Sequence, residues 1–185
     1  MLKHLAACAF SVAIFASAAY ADSSDDRLKK LHDLYQCPIF SYLVAIHRAP
    51  SSLKDRYLTL EIAGLHDRKF YAQCIFYNKD RKMHCEAASP FYDTELQDFF
   101  TRERLVVLRS LGYTTKPSKN NYHLERGVKN ADSLYDIAGL LVETLGRVLD
   151  MQLDERLIYH APLVKQTPAG GIEGSKLCAP LISLR

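Results

Sequence analysis

The sequence lacks every strong signature of catalysis or of metal binding. It contains no Gly-x-Ser-x-Gly nucleophile turn, no phosphate-binding loop, no His-Glu-x-x-His helix and no Cys-x-x-Cys pair. Its histidines are scattered, and no two of them lie four residues apart on a predicted helix, which is the spacing of many zinc ligands. We therefore expect no catalytic residues, no metal and no cofactor.

Clusters of one charge are also missing. The formal net charge is only +3, because 24 lysines and arginines are interspersed with 21 acidic residues. Proteins that bind nucleic acid or a membrane surface usually carry a basic cluster. We expect neither partner for this chain.

Long apolar runs are limited to one, at residues 5–19. It follows the basic Lys3, ends at Ala19-Tyr20-Ala21, and is short for a membrane span of about 20 residues. This arrangement is typical of a secretory signal peptide cleaved after Ala21. We predict a periplasmic or secreted protein with no membrane span after cleavage, a single domain over residues 22–163, and a C-terminal tail over residues 164–185.

The central pattern of the chain is a predicted β-hairpin. Residues 71–77 and 82–88 alternate between apolar and mixed positions on either side of a turn at residues 78–81. A symmetric turn places Cys74 opposite Cys85, with apolar pairs before and after them on the same face. A slip of one residue would mix the two faces, so the pattern itself predicts this register.

Four cysteines remain after the predicted cleavage, and an even number in an exported chain favours two disulfides. Residues directly opposite in an antiparallel pair lie close enough for a bridge. The register therefore predicts a Cys74–Cys85 disulfide and leaves Cys37–Cys178 to tie the N-terminal helix to the tail. The alternative is that the hairpin cysteines are buried thiols.

The other face of the hairpin is the candidate site. We name as the contact face the side chains of Tyr71, Gln73, Ile75, His84 and Glu86, which the register places together. Three interpretations stay open for it: a surface that binds a polypeptide, an acid–base pair of His84 and Glu86, or an ordinary solvated side of a sheet.

The remaining elements predict an α+β fold. Residues 56–63 alternate as a first strand, and shorter strands are expected at 122–126 and 157–161, which makes an antiparallel meander sheet of about four to five strands. One apolar face per strand implies helices packed on one side of the sheet. Helical spacing predicts helices over the following ranges: 25–35, a new helix from Pro38, 94–111 as one bent or two short helices, and a strong one over 134–148.

Two blocks of sequence resemble TY-Chap (YbjN-like) domain proteins. The first is Tyr71-x-Gln73-Cys74-x-Phe76 with Met83-x-Cys85-Glu86-Ala87-Ala88-Ser89-x-Phe91-Tyr92; the second is Leu111-Gly112-Tyr113 with Ser118-x-Asn120-Asn121-Tyr122 and the helix after it. The resemblance covers roughly residues 38–151. It implies a fold like that of type III secretion chaperones, binding of a polypeptide rather than catalysis, and a tendency to dimerise.

Together these features predict an exported, non-enzymatic protein-binding or chaperone-like module. Its expected partners are a polypeptide and a second copy of the chain in a homodimer. The alternative is a small periplasmic enzyme or ligand-binding protein that uses His84 and Glu86.

Overall fold

The computed structural model describes residues 12–63, 70–116 and 120–164. The predicted tail lies outside this range apart from Val164, and the predicted cleavage point after Ala21 falls within the first helix. None of the described helices is long and apolar enough to cross a membrane.

The structure is α+β, as predicted, and is built on one five-stranded antiparallel sheet. Residues of alternating character form the strands, so each strand has one buried and one outward side. The spatial order is β4-β3-β2-β1-β5, with the two predicted short strands at the edges. The strands are β1 (Tyr57–Ala63), β2 (Tyr71–Tyr77), β3 (Lys82–Ala87), β4 (Tyr122–Gly127) and β5 (Arg156–His160).

The hairpin of β2 and β3 has the predicted register. Cys74 pairs with Cys85 at a Cα separation of 4.0 Å, and a disulfide joins them. The turn is made possible by three consecutive residues with positive φ, Asn78, Lys79 and Asp80. Asparagine and aspartate tolerate this left-handed region better than most residues do.

Within the described residues, a helical layer covers the inner face of the sheet and leaves the outer face open. It consists of α1 (Val12–Arg48), α2 (Arg102–Ser110) and α3 (Ala131–Glu143), and α3 continues into a π-helical turn at Thr144–Val148. From α1, the His47 ring packs against Phe76 and the Tyr42 ring stacks on Tyr159. The inner side chains of the sheet and the apolar sides of the helices form a single buried core.

Helix α1 differs from the prediction, which placed a break before Pro38. The helix is continuous through Pro38, although proline removes a backbone hydrogen bond and costs about 3 kcal/mol inside a helix. Leu31 on one side of the proline and Leu43 on the other are both buried in the same core. The burial of one uninterrupted apolar stripe offsets the local cost of the proline.

The segment at residues 94–111 forms two short helices, one of the two predicted arrangements. A 3₁₀ turn at Thr94–Leu96 is capped by Asp93. Helix α2 starts after Thr101, whose hydroxyl oxygen accepts a hydrogen bond from the Arg104 amide. Helix α3 begins at Ala131, earlier than the predicted start at residue 134. The side-chain oxygen of the N-cap residue Asn130 accepts hydrogen bonds from the Ser133 amide and hydroxyl, which satisfies a free amide of the first turn.

Arg56 joins the end of α1 to the hairpin turn. Its guanidinium donates to the carbonyl oxygens of Ala49 and Pro50 and lies 2.8 Å from the Asp80 carboxylate. The side chain is only 5% exposed, so these bonds replace its contact with water. The hairpin therefore has a fixed position relative to the helical layer.

Candidate functional site

The contact face lies on the side of the sheet that the described helices leave uncovered. Its members alternate with the buried residues of β2 and β3, and all five project outward. The register pairs Gln73 with Glu86 and Ile75 with His84. The structure therefore brings together every residue that the sequence placed on this face.

A row of polar residues crosses all five strands through this face. Neighbouring strands pair in a register that aligns one outward residue from each of them. From the β4 edge to the β5 edge, the row is His123, Glu86, Gln73, Thr59 and His160. Because β1, β4 and β5 all contribute, the site is wider than the predicted hairpin face.

Hydrogen bonds between side chains hold the centre of this row. The Gln73 amide donates to Glu86 Oε2 at 2.7 Å, and the Thr59 hydroxyl donates to Gln73 Oε1 at 3.1 Å. These bonds fix which end of the Gln73 amide carries the nitrogen, because a carboxylate can only accept. The side chains therefore have defined orientations before any partner arrives.

Glu86 is the acceptor at the centre of the site. Partial burial acts to raise its pKa, but hydrogen bonds from Gln73, Asn121 and His84 outweigh burial and hold the pKa of Glu86 below its usual range. The carboxyl is therefore ionised at neutral pH. It forms no ion pair with a lysine or arginine among the described residues, in contrast to Glu125, which lies 3.5 Å from the Lys82 ammonium.

Two histidines lie side by side next to Glu86. The rings of His84 and His123 stack with centroids 5.5 Å apart and an interplanar angle of 26°. His84 Nε2 lies 3.2 Å from Glu86 Oε1, so this nitrogen carries a proton that it donates to the carboxylate. His123 Nδ1 lies 3.3 Å from the Asn121 carbonyl oxygen, which also can only accept. In neutral form, the two rings are thus held in opposite tautomers.

Asn121 connects the face to the end of β3. Its side chain is buried, and its amide donates to the Tyr71 hydroxyl at 2.7 Å and to Glu86 Oε2 at 3.4 Å. On the other side, the Ser89 hydroxyl lies 3.4 Å from Asn121 Oδ1. Burial raises the pKa of Tyr71 despite the Asn121 bond, which leaves the hydroxyl protonated at physiological pH.

An open cleft of about 390 Å³ adjoins this end of the face. Ser89 and Asn120 form its boundary with the polar network, and the rings of Phe100 and Tyr122 contact each other in its wall with centroids 5.0 Å apart. Phe91, which is half-exposed, and Lys116 also line the cleft. The aromatic wall of the cleft is on the helical side of the sheet, because Tyr122 pairs with the buried Ala87, and the cleft meets the contact face at the sheet end near Ser89 and Asn120.

Four members of the site were not identified from the sequence: Thr59, Asn121, His123 and His160. Each lies outside the hairpin and joins the face only through the pairing of β1 with β2, of β4 with β3 or of β5 with β1. The resemblance block that contains Asn121 was the one available signal, but it indicates no role for the side chain. Within the described part of the chain, no group of three or more histidine, cysteine or acidic residues is arranged to hold a metal ion.

No family model, curated protein or solved structure matches this chain. The geometry of the uncovered sheet face is therefore the basis for assigning a function.

Proposed function

We propose that the protein is an exported, non-enzymatic module that binds a polypeptide through the contact face and the adjoining cleft. The observation that carries this proposal is the network of Gln73, Glu86 and Asn121 on the uncovered side of the sheet. Its side chains are already oriented by hydrogen bonds to one another. A surface oriented in advance loses little conformational entropy when it binds, which favours recognition.

The chemistry of the face indicates the kind of polypeptide. Glu86 supplies a negative charge without a lysine or arginine partner among the described residues, which suits a basic side chain. Ile75 is 42% exposed beside it and suits an apolar contact. The cleft has room for one aromatic or large aliphatic side chain. The proposed ligand is thus a segment in which lysine or arginine lies near apolar residues.

Export rests on the predicted signal peptide and on the cysteines. A disulfide between Cys74 and Cys85 is consistent with an oxidising compartment outside the cytoplasm. The resemblance to TY-Chap (YbjN-like) domains agrees with this proposal, since it implies a chaperone-like role in holding a polypeptide. Membership of that family is part of this proposal.

The test is selection from a phage-displayed library of random peptides against the protein expressed as an exported chain. The expected enriched peptides carry a lysine or arginine next to an aromatic or aliphatic residue. Fluorescence anisotropy with one such peptide should show binding weakened at least about tenfold by Ile75→Lys and by Glu86→Gln, which corresponds to roughly 1.4 kcal/mol.

Val106→Lys is the matched control. Val106 is also an exposed aliphatic residue, at 51%, but lies on α2 in the helical layer. The Val106→Lys variant should bind the peptide as the wild type does. Failure of the library to yield an enriched motif, or equal binding by Ile75→Lys and Val106→Lys, would overturn the proposal.

The second candidate function is a small-molecule or acid–base site at His84. The observation in its favour is the 3.2 Å contact in which Glu86 orients the His84 ring. A panel of small metabolites tested by thermal shift would support this alternative if a compound stabilised the wild type and not the double variant His84→Ala, Glu86→Gln. The peptide experiment and this one have separate readouts, so each candidate succeeds or fails independently.

A further inference from the structure

The outer edge of the sheet at β5 carries backbone groups that point away from the protein. In an antiparallel ladder, alternate residues of a strand direct their N–H and C=O groups to opposite sides. The Ile62 amide donates to Phe70 and the Phe76 amide to Arg56, so the even-numbered residues of β1 face β2. The odd-numbered residues of β1 therefore face β5, and they pair with its even-numbered residues.

Leu157 and Tyr159 consequently direct their N–H and C=O groups outward. No backbone or side-chain hydrogen bond from the described residues reaches these four groups. Edge strands in monomeric proteins usually carry a lysine, a proline or a bulge that prevents pairing. β5, with the sequence Arg-Leu-Ile-Tyr-His, has no lysine or proline and exposes Ile158 at its centre.

The opposite edge is less open. At β4, the carbonyl oxygen of His123 accepts the amide of Thr114 at 2.7 Å. The side chain of Arg126 also reaches from β4 to the carbonyl oxygen of Leu111 at 2.9 Å. The polypeptide before β4 therefore covers part of that edge, which leaves β5 as the better template for an added strand.

We propose that β5 pairs with β5 of a second copy, antiparallel about a twofold axis at Ile158. In this register, Leu157 of each copy lies opposite Tyr159 of the other, and the four outward groups of each strand form hydrogen-bonded pairs. Ile158 lies opposite its own counterpart on the outer face, where the non-hydrogen-bonded pairing brings side chains closest. The alternation of outward backbone groups and the position of Ile158 therefore indicate the same register.

Charge complementarity supports the same register. Arg156 lies opposite His160 of the second copy, and within one chain His160 Nε2 is 3.2 Å from Glu61 Oε2. The guanidinium of Arg156 forms no ion pair among the described residues, so it is available to the Glu61 carboxylate across the interface.

The product is a continuous sheet of ten strands, five from each copy. A twofold axis perpendicular to the sheet keeps both uncovered faces on the same side. The two contact faces would then lie on the same side of the sheet, separated by β1 and β5 of each copy, and a ligand with two suitably spaced segments would gain from effective concentration. The dimer does not depend on the proposed function, because β5 can pair with β5 of a second copy regardless of what the contact face binds.

Sedimentation velocity over a concentration series from micromolar to millimolar tests the proposal. The wild type should shift from monomer to dimer, and Ile158→Lys should weaken association at least about tenfold, because it places two ammonium groups opposite each other. Ile75→Lys is the matched control: it changes the same residue type on the same face, at 42% exposure against 40%, but on a central strand. Ile75→Lys should dimerise as wild type does.

The register is tested by a cysteine at the axis. Ile158→Cys should form an intermolecular disulfide on mild oxidation, since residues in a non-hydrogen-bonded pair lie about 4.5 Å apart at Cα. Ile75→Cys should not. Dimers that persist in Ile158→Lys, or Ile158→Cys dimers without the cross-link, would overturn the proposal.

A monomer at all concentrations would also overturn it. If the amides of Leu157 and Tyr159 in that monomer resist hydrogen exchange, a segment of the same chain occupies the edge; if they exchange freely, the edge is unpaired. Ile75→Lys should lose peptide binding and still dimerise, whereas Ile158→Lys should lose dimerisation and still bind the peptide. The two variants therefore test this proposal and the proposed function separately.

Discussion

At the scale of single residues, stability depends on a few buried polar groups that have complete hydrogen bonding. Arg56 is the most consequential, because one guanidinium satisfies two carbonyl oxygens at the end of α1 and pairs with Asp80. Removing it would leave the largely buried Asp80 carboxylate and the Ala49 carbonyl oxygen without this partner, whereas the Pro50 carbonyl oxygen would still accept the Leu53 amide. The cost of breaking such a buried pair far exceeds that of breaking an exposed pair.

Arg56→Ala should therefore lower the free energy of unfolding by about 3–5 kcal/mol, measured by urea denaturation. Lys82→Ala, which breaks the exposed ion pair with Glu125, should cost at most about 1 kcal/mol. Asp80→Asn gives a milder test if Arg56→Ala does not fold, and should fall between the two. Equal effects of Arg56→Ala and Lys82→Ala would contradict this interpretation.

Tyr113 predicts a dependence of stability on alkaline pH. Its hydroxyl is buried and lies 3.1 Å from Thr144 Oγ1, and burial raises its pKa to about 12 despite that hydrogen bond. An unfolded tyrosine loses its proton near pH 10. Stability from this group is therefore fully present below pH 10 and is lost as the pH rises toward 12, because only the unfolded chain releases the proton in that window.

The expected measurement compares urea unfolding of wild type and Tyr113→Phe from pH 9 to pH 12. The stability advantage of the wild type should shrink across this window by up to about 3 kcal/mol, at roughly 1.4 kcal/mol per pH unit. Tyr92→Phe, at a residue that is 67% exposed, is the control. The same slope for Tyr113→Phe and Tyr92→Phe would show that Tyr113 does not titrate in this way.

At the scale of elements, the close crossing of α1 and α3 determines how the helical layer is built. Two glycines on the α3 side allow it: Gly139 faces the side chain of Gln36, and Gly146 faces Leu31 and Leu28. A Cβ at residue 146 would lie 2.9 Å from Leu31 Cδ1 and 3.0 Å from Leu28 Cδ1. Leu31 is buried in the core, so it has little space into which to move.

Gly146→Ala should accordingly destabilise the protein, although alanine gains roughly 1 kcal/mol over glycine in a helix. Overpacking of a core costs about 1–3 kcal/mol, so a net loss of about 1 kcal/mol is expected in thermal unfolding. Gly127→Ala is the matched control, since nothing lies within 4 Å of a Cβ at that residue. A Gly146→Ala variant as stable as Gly127→Ala would show that the helices separate at little cost.

At the scale of the whole molecule, one disulfide lies within the sheet and a second involves helix α1. Cys74–Cys85 cross-links two central strands on the inner face. Cys37 of α1 is disulfide-bonded as well, whereas its predicted partner, Cys178, lies outside the described residues. The Cys37–Cys178 pairing therefore stays a prediction, and with it the attachment of residues 164–185 to α1.

A non-reducing peptide map of the exported protein tests both the tail and the export signal. It should recover Cys74 linked to Cys85, Cys37 linked to Cys178, and an N-terminal peptide that begins at Asp22. Cys37→Ala should leave the Cys178 peptide without a cross-link, and Cys178→Ala should leave the Cys37 peptide without one. An intact Met1, or a Cys37 linked to any other cysteine, would refute the corresponding part of the prediction.

The alternating residues of the hairpin determined most of the central sheet. A period of two with a cysteine on each strand permits only one register that keeps apolar residues on one side, which is why Cys74 and Cys85 were paired correctly. The same alternation placed Gln73, Ile75, His84 and Glu86 on one face. These are local properties, because each depends only on the residues of β2, β3 and the turn that joins them.

Only the tertiary structure decided the features that depend on distant residues. Helix α1 continues through Pro38 because its apolar stripe is buried against elements far away in the sequence, a contribution that local propensity does not include. Asn121 and His123 join the site because β4 adds to the edge of β3, and β5 becomes an outer strand because it pairs with β1. Strand order is set by long-range packing, which alternation within a strand cannot encode.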